Sequence, residues 1–174
     1  METVRFALRL ALAVIAFVVQ PGLGAAKDGE MSAELAVHKV LRSAAGAETL
    51  ASAEGAGPGD VVEYRAVYTN RGTVTVMHYE GTLPIPPWAQ YLPGSASPPL
   101  AAASLDGRVY AAVPLTREVT RSGGRKARVE IPATEYRYLR WNLGDLAPGG
   151  RAEAVFRVRV VSSGRPAPPG APAR

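Results

Sequence analysis

The chain has 174 residues, 47% hydrophobic and 20% charged, with a net charge of +5, the make-up of an ordinary globular protein of about one domain. It contains no cysteine, which excludes disulfides, thiolate metal sites and a lipid-anchoring cysteine behind a leader. Its 18 glycines and 15 prolines sit mostly at the ends of extended runs, the mark of turn-rich β structure rather than disorder.

Residues 1–26 read as a secretory signal. Arg5 and Arg9 give a positive start, Leu10 to Val19 is an unbroken apolar run, Pro21-Gly22 breaks it, and Gly24-Ala25-Ala26 offers small residues for cleavage. The run is half the length of about twenty residues that a spanning helix needs; an uncleaved anchor from Phe6 to Val19 is the alternative. Residues 27–161 then form a single domain, and the Pro-rich tail 162–174 is read as disordered or polyproline-like.

Leu35 to Val40 alternates as a first strand, with a helix over Met31–Leu41 as the alternative. Ser43 to Gly57 is small and polar, a loop or a weak edge strand near Thr49-Leu50. The clearest strand is Asp60–Thr69, with Val62, Tyr64, Ala66 and Tyr68 on one face and Glu63, Arg65 and Thr69 on the other. Asn70-Arg71-Gly72 reads as a turn into a returning strand Thr73–Thr82, with Met77 and Tyr79 inward, His78 outward and a bulge between Val76 and Met77. The prolines in Leu83–Gly94 predict a crossing loop with Tyr91 and Leu92 docked on the core. Asp106-Gly107 predicts a two-residue hairpin joining about Leu100–Leu105 to Arg108–Val113. Ser122-Gly123-Gly124 predicts a second, between Leu115–Arg121 and Arg125–Ile131. Tyr136–Leu143, with Leu139, Trp141 and Leu143 on one face, and Arg151–Val161, with Ala152, Ala154, Phe156, Val158 and Val160 inward, complete the set. Short strands at this spacing predict an all-β protein, an immunoglobulin-like antiparallel β-sandwich, with a partly closed Greek-key barrel as the alternative.

Several of these segments carry a pattern: Pro58-Gly59-Asp60, then Tyr64, Asn70-Arg71-Gly72, Leu83-Pro84, and Trp141-Asn142-Leu143-Gly144-Asp145-Leu146-Ala147-Pro148-Gly149 ahead of a final apolar strand. In order and spacing it resembles the conserved repeat domain of many bacterial surface and exported proteins, an immunoglobulin-like domain of unknown function. One departure is Gly81, where the family often has an Asp before the Thr-Leu-Pro. The resemblance implies a non-enzymatic extracytoplasmic module, here a single copy, with no active site to transfer.

Little in the residues suggests chemistry. Asp60, Asp106 and Asp145 sit beside glycines and are expected to accept local backbone N–H groups, Ca²⁺ coordination being the alternative. His38 and His78 lack ligand spacing, no Gly-x-Ser-x-Gly elbow occurs, and the glycine runs lack the Lys-Ser/Thr of a phosphate loop. No catalytic residue, metal or cofactor is expected. Trp141 reads as core; Trp88, on a proline-stiffened loop, either plugs the sandwich or presents an aromatic surface. Basic residues concentrate at Arg117, Arg121, Arg125, Lys126 and Arg128 against Glu118 alone, with Arg157 and Arg159 extending the stripe if they share its sheet. A solvated edge is one reading and an anionic envelope polymer, glycan or membrane surface the other. Nucleic acid is not the expected partner of an exported chain without stacking aromatics beside the cluster. The expectation is an exported, periplasmic or cell-surface module of the cell envelope that contacts another envelope protein, for example by a sheet edge, or binds an anionic polymer through the arginines and Trp88.

Overall fold

The computed structural model describes residues 31–161; the expected signal and tail lie outside the described residues. In chain order the strands are β1 (Met31–Arg42), β2 (Glu48–Ser52), β3 (Val61–Asn70), β4 (Glu80–Pro84), β5 (Ala89–Tyr91), β6 (Ala102–Ser104), β7 (Ala111–Ala112), β8 (Thr116–Thr120), β9 (Lys126–Glu130), β10 (Tyr138–Asn142) and β11 (Arg151–Val160). A 3₁₀ turn, Ala133–Glu135, precedes β10. Every strand pairing is antiparallel. One sheet has the order β2-β1-β3-β11-β5, the second β4-β10-β6-β7, and β8-β9 stands apart as a two-stranded ribbon. The fold is an all-β sandwich, and neither sheet closes into a barrel.

The alternating residues explain how the layers meet. Val62, Tyr64, Ala66 and Tyr68 of β3 and Ala154, Phe156, Val158 and Val160 of β11 are buried, as are Leu139 and Trp141 of β10 in the facing sheet. Phe156 lies between the layers, stacked on Tyr64 with ring centroids 5.1 Å apart and tilted against Trp141 at 5.9 Å. Each such large side chain contributes about 1.5–3 kcal/mol by leaving water. The Trp141 indole N–H donates to the Pro98 carbonyl at 2.9 Å, so its one polar atom is satisfied.

The structure departs from the sequence reading at several points. No strand returns along β3 after Asn70. Residues 71–79 form a loop in which Val74 is 67% and Met77 59% exposed, and the chain crosses to the other sheet, where β4 pairs with β10. The crossover is held by Asn70, which is fully buried: its amide nitrogen donates to the carbonyls of Val74 and Leu146, each at 2.8 Å. His78 lies in this loop with a positive φ of 49° rather than on a strand. The proline-rich crossing holds two short strands, β4 and β5; Tyr91 is buried as expected. The Asp106-Gly107 hairpin is wider than two residues, because β6 and β7 pair Ala102 with Ala112 and Ala103 with Ala111. Asp106 Oδ1 accepts the N–H groups of Arg108 and Val109 at 2.8 and 3.0 Å, which withholds those residues from the ladder. Glu63, on the face of β3 turned away from the core, is nonetheless buried and gripped by Arg65 at 3.1 Å and Arg157 at 3.0 Å.

Candidate functional site

The basic cluster falls on the β8–β9 ribbon, and the ribbon's anchorage begins with two buried residues. Leu115 and Ile131 close its base, the Ile131 N–H donating to the Leu115 carbonyl at 2.8 Å. The Leu115 N–H in turn donates to the hydroxyl of buried Tyr136 at 3.0 Å, and the Tyr136 ring lies nearly parallel to Tyr91 on the five-stranded sheet. Beyond that base the apolar side chains of the ribbon lie outside the core and the residues packed on it. At the tip the Arg121 N–H donates to the Arg125 carbonyl at 2.8 Å, and Gly123 and Gly124 take φ of 87° and 76°, values that favour glycine.

The register divides the cluster between two faces. Arg117 is opposite Val129 and Val119 opposite Ala127, so these four share one face with Arg121 and Arg125. Glu118 is opposite Arg128 and Thr120 opposite Lys126 on the other face. The first face thus carries an apolar centre, Val119, Ala127 and Val129, all half-buried, with arginines around it. Arg117 is engaged with Glu135 at 3.4 Å and Lys126 with Glu118 at 2.8 Å. Arg121, Arg125 and Arg128 carry no ion pair among the described residues.

The remaining sequence candidates lie elsewhere. Trp88 is partly buried against the core, with its carbonyl accepting the Val161 N–H at 3.0 Å. Arg157 and Arg159 belong to β11 in the five-stranded sheet and do not extend the ribbon's stripe. Arg157 instead joins Glu48 at 2.8 Å and Glu63 at 3.0 Å. A shallow cleft of about 300 Å³ lies beside them, lined by Val40, Arg42, Glu48, Val61, Leu92, Arg157 and Arg159. Three of its charges are committed to one another: hydrogen bonds from Arg42 and then Arg157 hold the Glu48 carboxyl below its ordinary range, while Arg159 donates to the Gly59 carbonyl at 3.1 Å.

The turn aspartates divide. Asp106 is held low by the Arg108 and Val109 N–H groups, and Asp60 by Lys39 first and the Gly57 N–H second. Asp145, expected to serve its own turn, accepts the His78 N–H at 2.7 Å across the crossover loop. Among the described residues no three of His, Asp and Glu gather where a metal ion could sit, and no helix is long and apolar enough to cross a membrane.

Sequence reasoning found the ribbon and its tip but missed its two-faced character, for which the alternation Arg117, Val119, Arg121 is the signal. It missed Tyr136 as anchor and Glu135 as partner, which only the fold brings alongside. Compared with known proteins, the chain matches no family model, no curated protein and no solved structure.

Proposed function

We propose that the protein is an exported, non-enzymatic interaction module of the cell envelope that contacts another protein through the arginine-rimmed face of β8–β9. The export half of this reading rests on the leader-like residues 1–26. Its resemblance to the repeat domain of surface proteins agrees with it. The observation that carries the contact surface is the apolar centre of Val119, Ala127 and Val129, off the core and ringed by Arg117, Arg121 and Arg125. Arginine around a small apolar patch is the composition of a protein contact, where the guanidinium covers surface and pairs with carboxylates at once. A second reading, an anionic envelope polymer, is favoured by the three arginines that hold no ion pair.

Sedimentation of the purified protein with envelope fractions separates the two. For a protein contact, Val119→Asp abolishes association, and part of the wild-type association survives at about 1 M salt, where the screening length is near 3 Å. For a polymer, association disappears at that salt and in Arg121→Ala/Arg125→Ala, and ignores Val119→Asp. Association indifferent to all three treatments removes the ribbon from the function.

A further inference from the structure

β1 pairs with β3 from Met31 opposite Asn70 to Val40 opposite Val61, but on its other side β2 covers only His38–Arg42. Among the described residues, Met31–Val37 therefore has an open flank. The β1–β2 turn fixes which backbone groups face it. The Ser43 N–H donates to the Ala47 carbonyl at 2.9 Å, and hydrogen-bonded positions in an antiparallel pair recur at every second residue. Leu41 and Lys39 thus bond β2, and the same parity turns the N–H and C=O groups of Val37, Leu35, Ala33 and Met31 outward. Ser32, Glu34 and Ala36 bond β3.

Proteins shield such flanks with brevity, charge, proline or a bulge, and the other free edges among the described residues follow that rule. β2 is five residues opening on Glu48, which pairs with Arg42. β4 ends in Pro84, β5 is three residues behind Pro86-Pro87, and β7 is two residues just ahead of Pro114. The uncovered start of β11 holds Arg151 and Glu153, and β8–β9 carries charges of both signs between Pro114 and Pro132. Met31–Val37 is longer than any of these, contains no proline, and has Glu34 as its one charge.

The flank is also complementary to itself. Two copies run antiparallel about a two-fold axis at Glu34 set Met31 opposite Val37 and Ala33 opposite Leu35. These are the residues whose backbone groups point outward, so about eight interchain hydrogen bonds form, and every pair on the core-facing side is apolar. Leu35, 42% exposed, is then covered by Ala33 of its copy. On the outer side Glu34 meets Glu34, which alone would oppose pairing. Arg71 answers it: its guanidinium lies 3.4 Å from Glu34 and its Nε donates to Ser32 Oγ at 2.8 Å. The junction therefore holds two carboxylates and two guanidiniums and no net charge.

We propose that the open flank of β1 is a homodimer interface, joining two five-stranded sheets into one of ten strands across a Glu34–Arg71 quartet. The proposal stands independently of the ribbon. Sedimentation equilibrium of the purified full chain is expected to give a dimer. Leu35→Pro removes an outward N–H while leaving the β3 ladder intact, and it halves the mass. Because proline in a strand can disturb folding, the deciding pair is in side chains. Arg71→Glu places four carboxylates at the axis and halves the mass with an unchanged circular dichroism spectrum; Glu34→Arg/Arg71→Glu restores alternating charge and the dimer. A wild-type monomer at the highest soluble concentration overturns the proposal. So does a dimer that survives both Leu35→Pro and Arg71→Glu, or a charge-swapped variant that stays monomeric.

Discussion

β1 and the β8–β9 ribbon both leave strand backbone facing away from the sandwich, and they treat it in opposite ways. On the ribbon, five basic residues and two glutamates stand beside a five-residue strand on each side, so an approaching strand meets charge before it meets a carbonyl. Along Met31–Val37 the side chains other than Glu34 are small or apolar, so the backbone amides lie open on either side of that one charge. The two surfaces consequently select by different physics. A charged ribbon chooses partners by sign and weakens as salt screens it, whereas the ladder of β1 chooses first by register and main-chain hydrogen bonds, with the Glu34–Arg71 junction its one point of charge.

Four changes probe that contrast, beginning with the largest. Phe156→Ala removes the ring between Tyr64, the β3 neighbour of Val37, and Trp141; it is expected to cost about 3–5 kcal/mol in denaturant unfolding. A loss under about 1 kcal/mol would mean that the open flank is not backed by a packed core. Next, Tyr136→Phe leaves the Leu115 N–H without its acceptor and is expected to cost about 1–3 kcal/mol. Hydrogen exchange should quicken in β8 and β9 while β1 is unchanged; equal acceleration in both would erase the distinction between the regions.

Acid sharpens the comparison from the β1 side. Lys39 of β1 donates to Asp60 at 2.7 Å, and this bond, followed by the Gly57 N–H, lowers the folded carboxyl below its ordinary value of 3.8. A carboxyl depressed by folding stabilises fully above its unfolded value, and that stability is lost as pH falls through the lower folded value. Asp60→Asn should therefore flatten the fall of melting temperature below pH 3.8. The effect is expected to stay under about 1 kcal/mol for a pair this accessible to water, and an unaltered slope would show that Asp60 does not fasten β1. The smallest effect belongs to Arg121→Ala/Arg125→Ala. With no ion pair to break, stability should stay within about 0.5 kcal/mol of wild type by thermal melting, and a larger loss would mean that the tip packs on the body.

Where one face of a strand is buried, the sequence displays it. β3 and β11 carry an unbroken apolar set on their inner faces, and both were legible, as was the ribbon from its Ser-Gly-Gly turn. Thr73–Thr82 misled because β-branched residues fit a pleated surface only when a neighbour supplies one. Here Asn70 turns the chain across the sandwich, leaving Val74 and Met77 in water. The burial of Glu63 was not legible for the converse reason: a carboxylate on an outer face carries no sign of burial, and guanidiniums from positions 65 and 157, the second from another strand, close over it. The ribbon's arginines were visible as a run of charge, but their division into engaged and unengaged groups depends on Glu135, placed there by the 3₁₀ turn. The open flank of β1 could not be read at all, because its exposure is decided by where β2 stops.

Gly81 also has a bearing on how this chain can diverge. A Cβ there would lie 2.9 Å from both the Tyr68 ring and the Leu143 side chain, so no side chain has room at this place while those two stay put. Positions 68, 81 and 143 are expected to change together over evolutionary time, smaller residues at 68 and 143 opening the way for a side chain at 81.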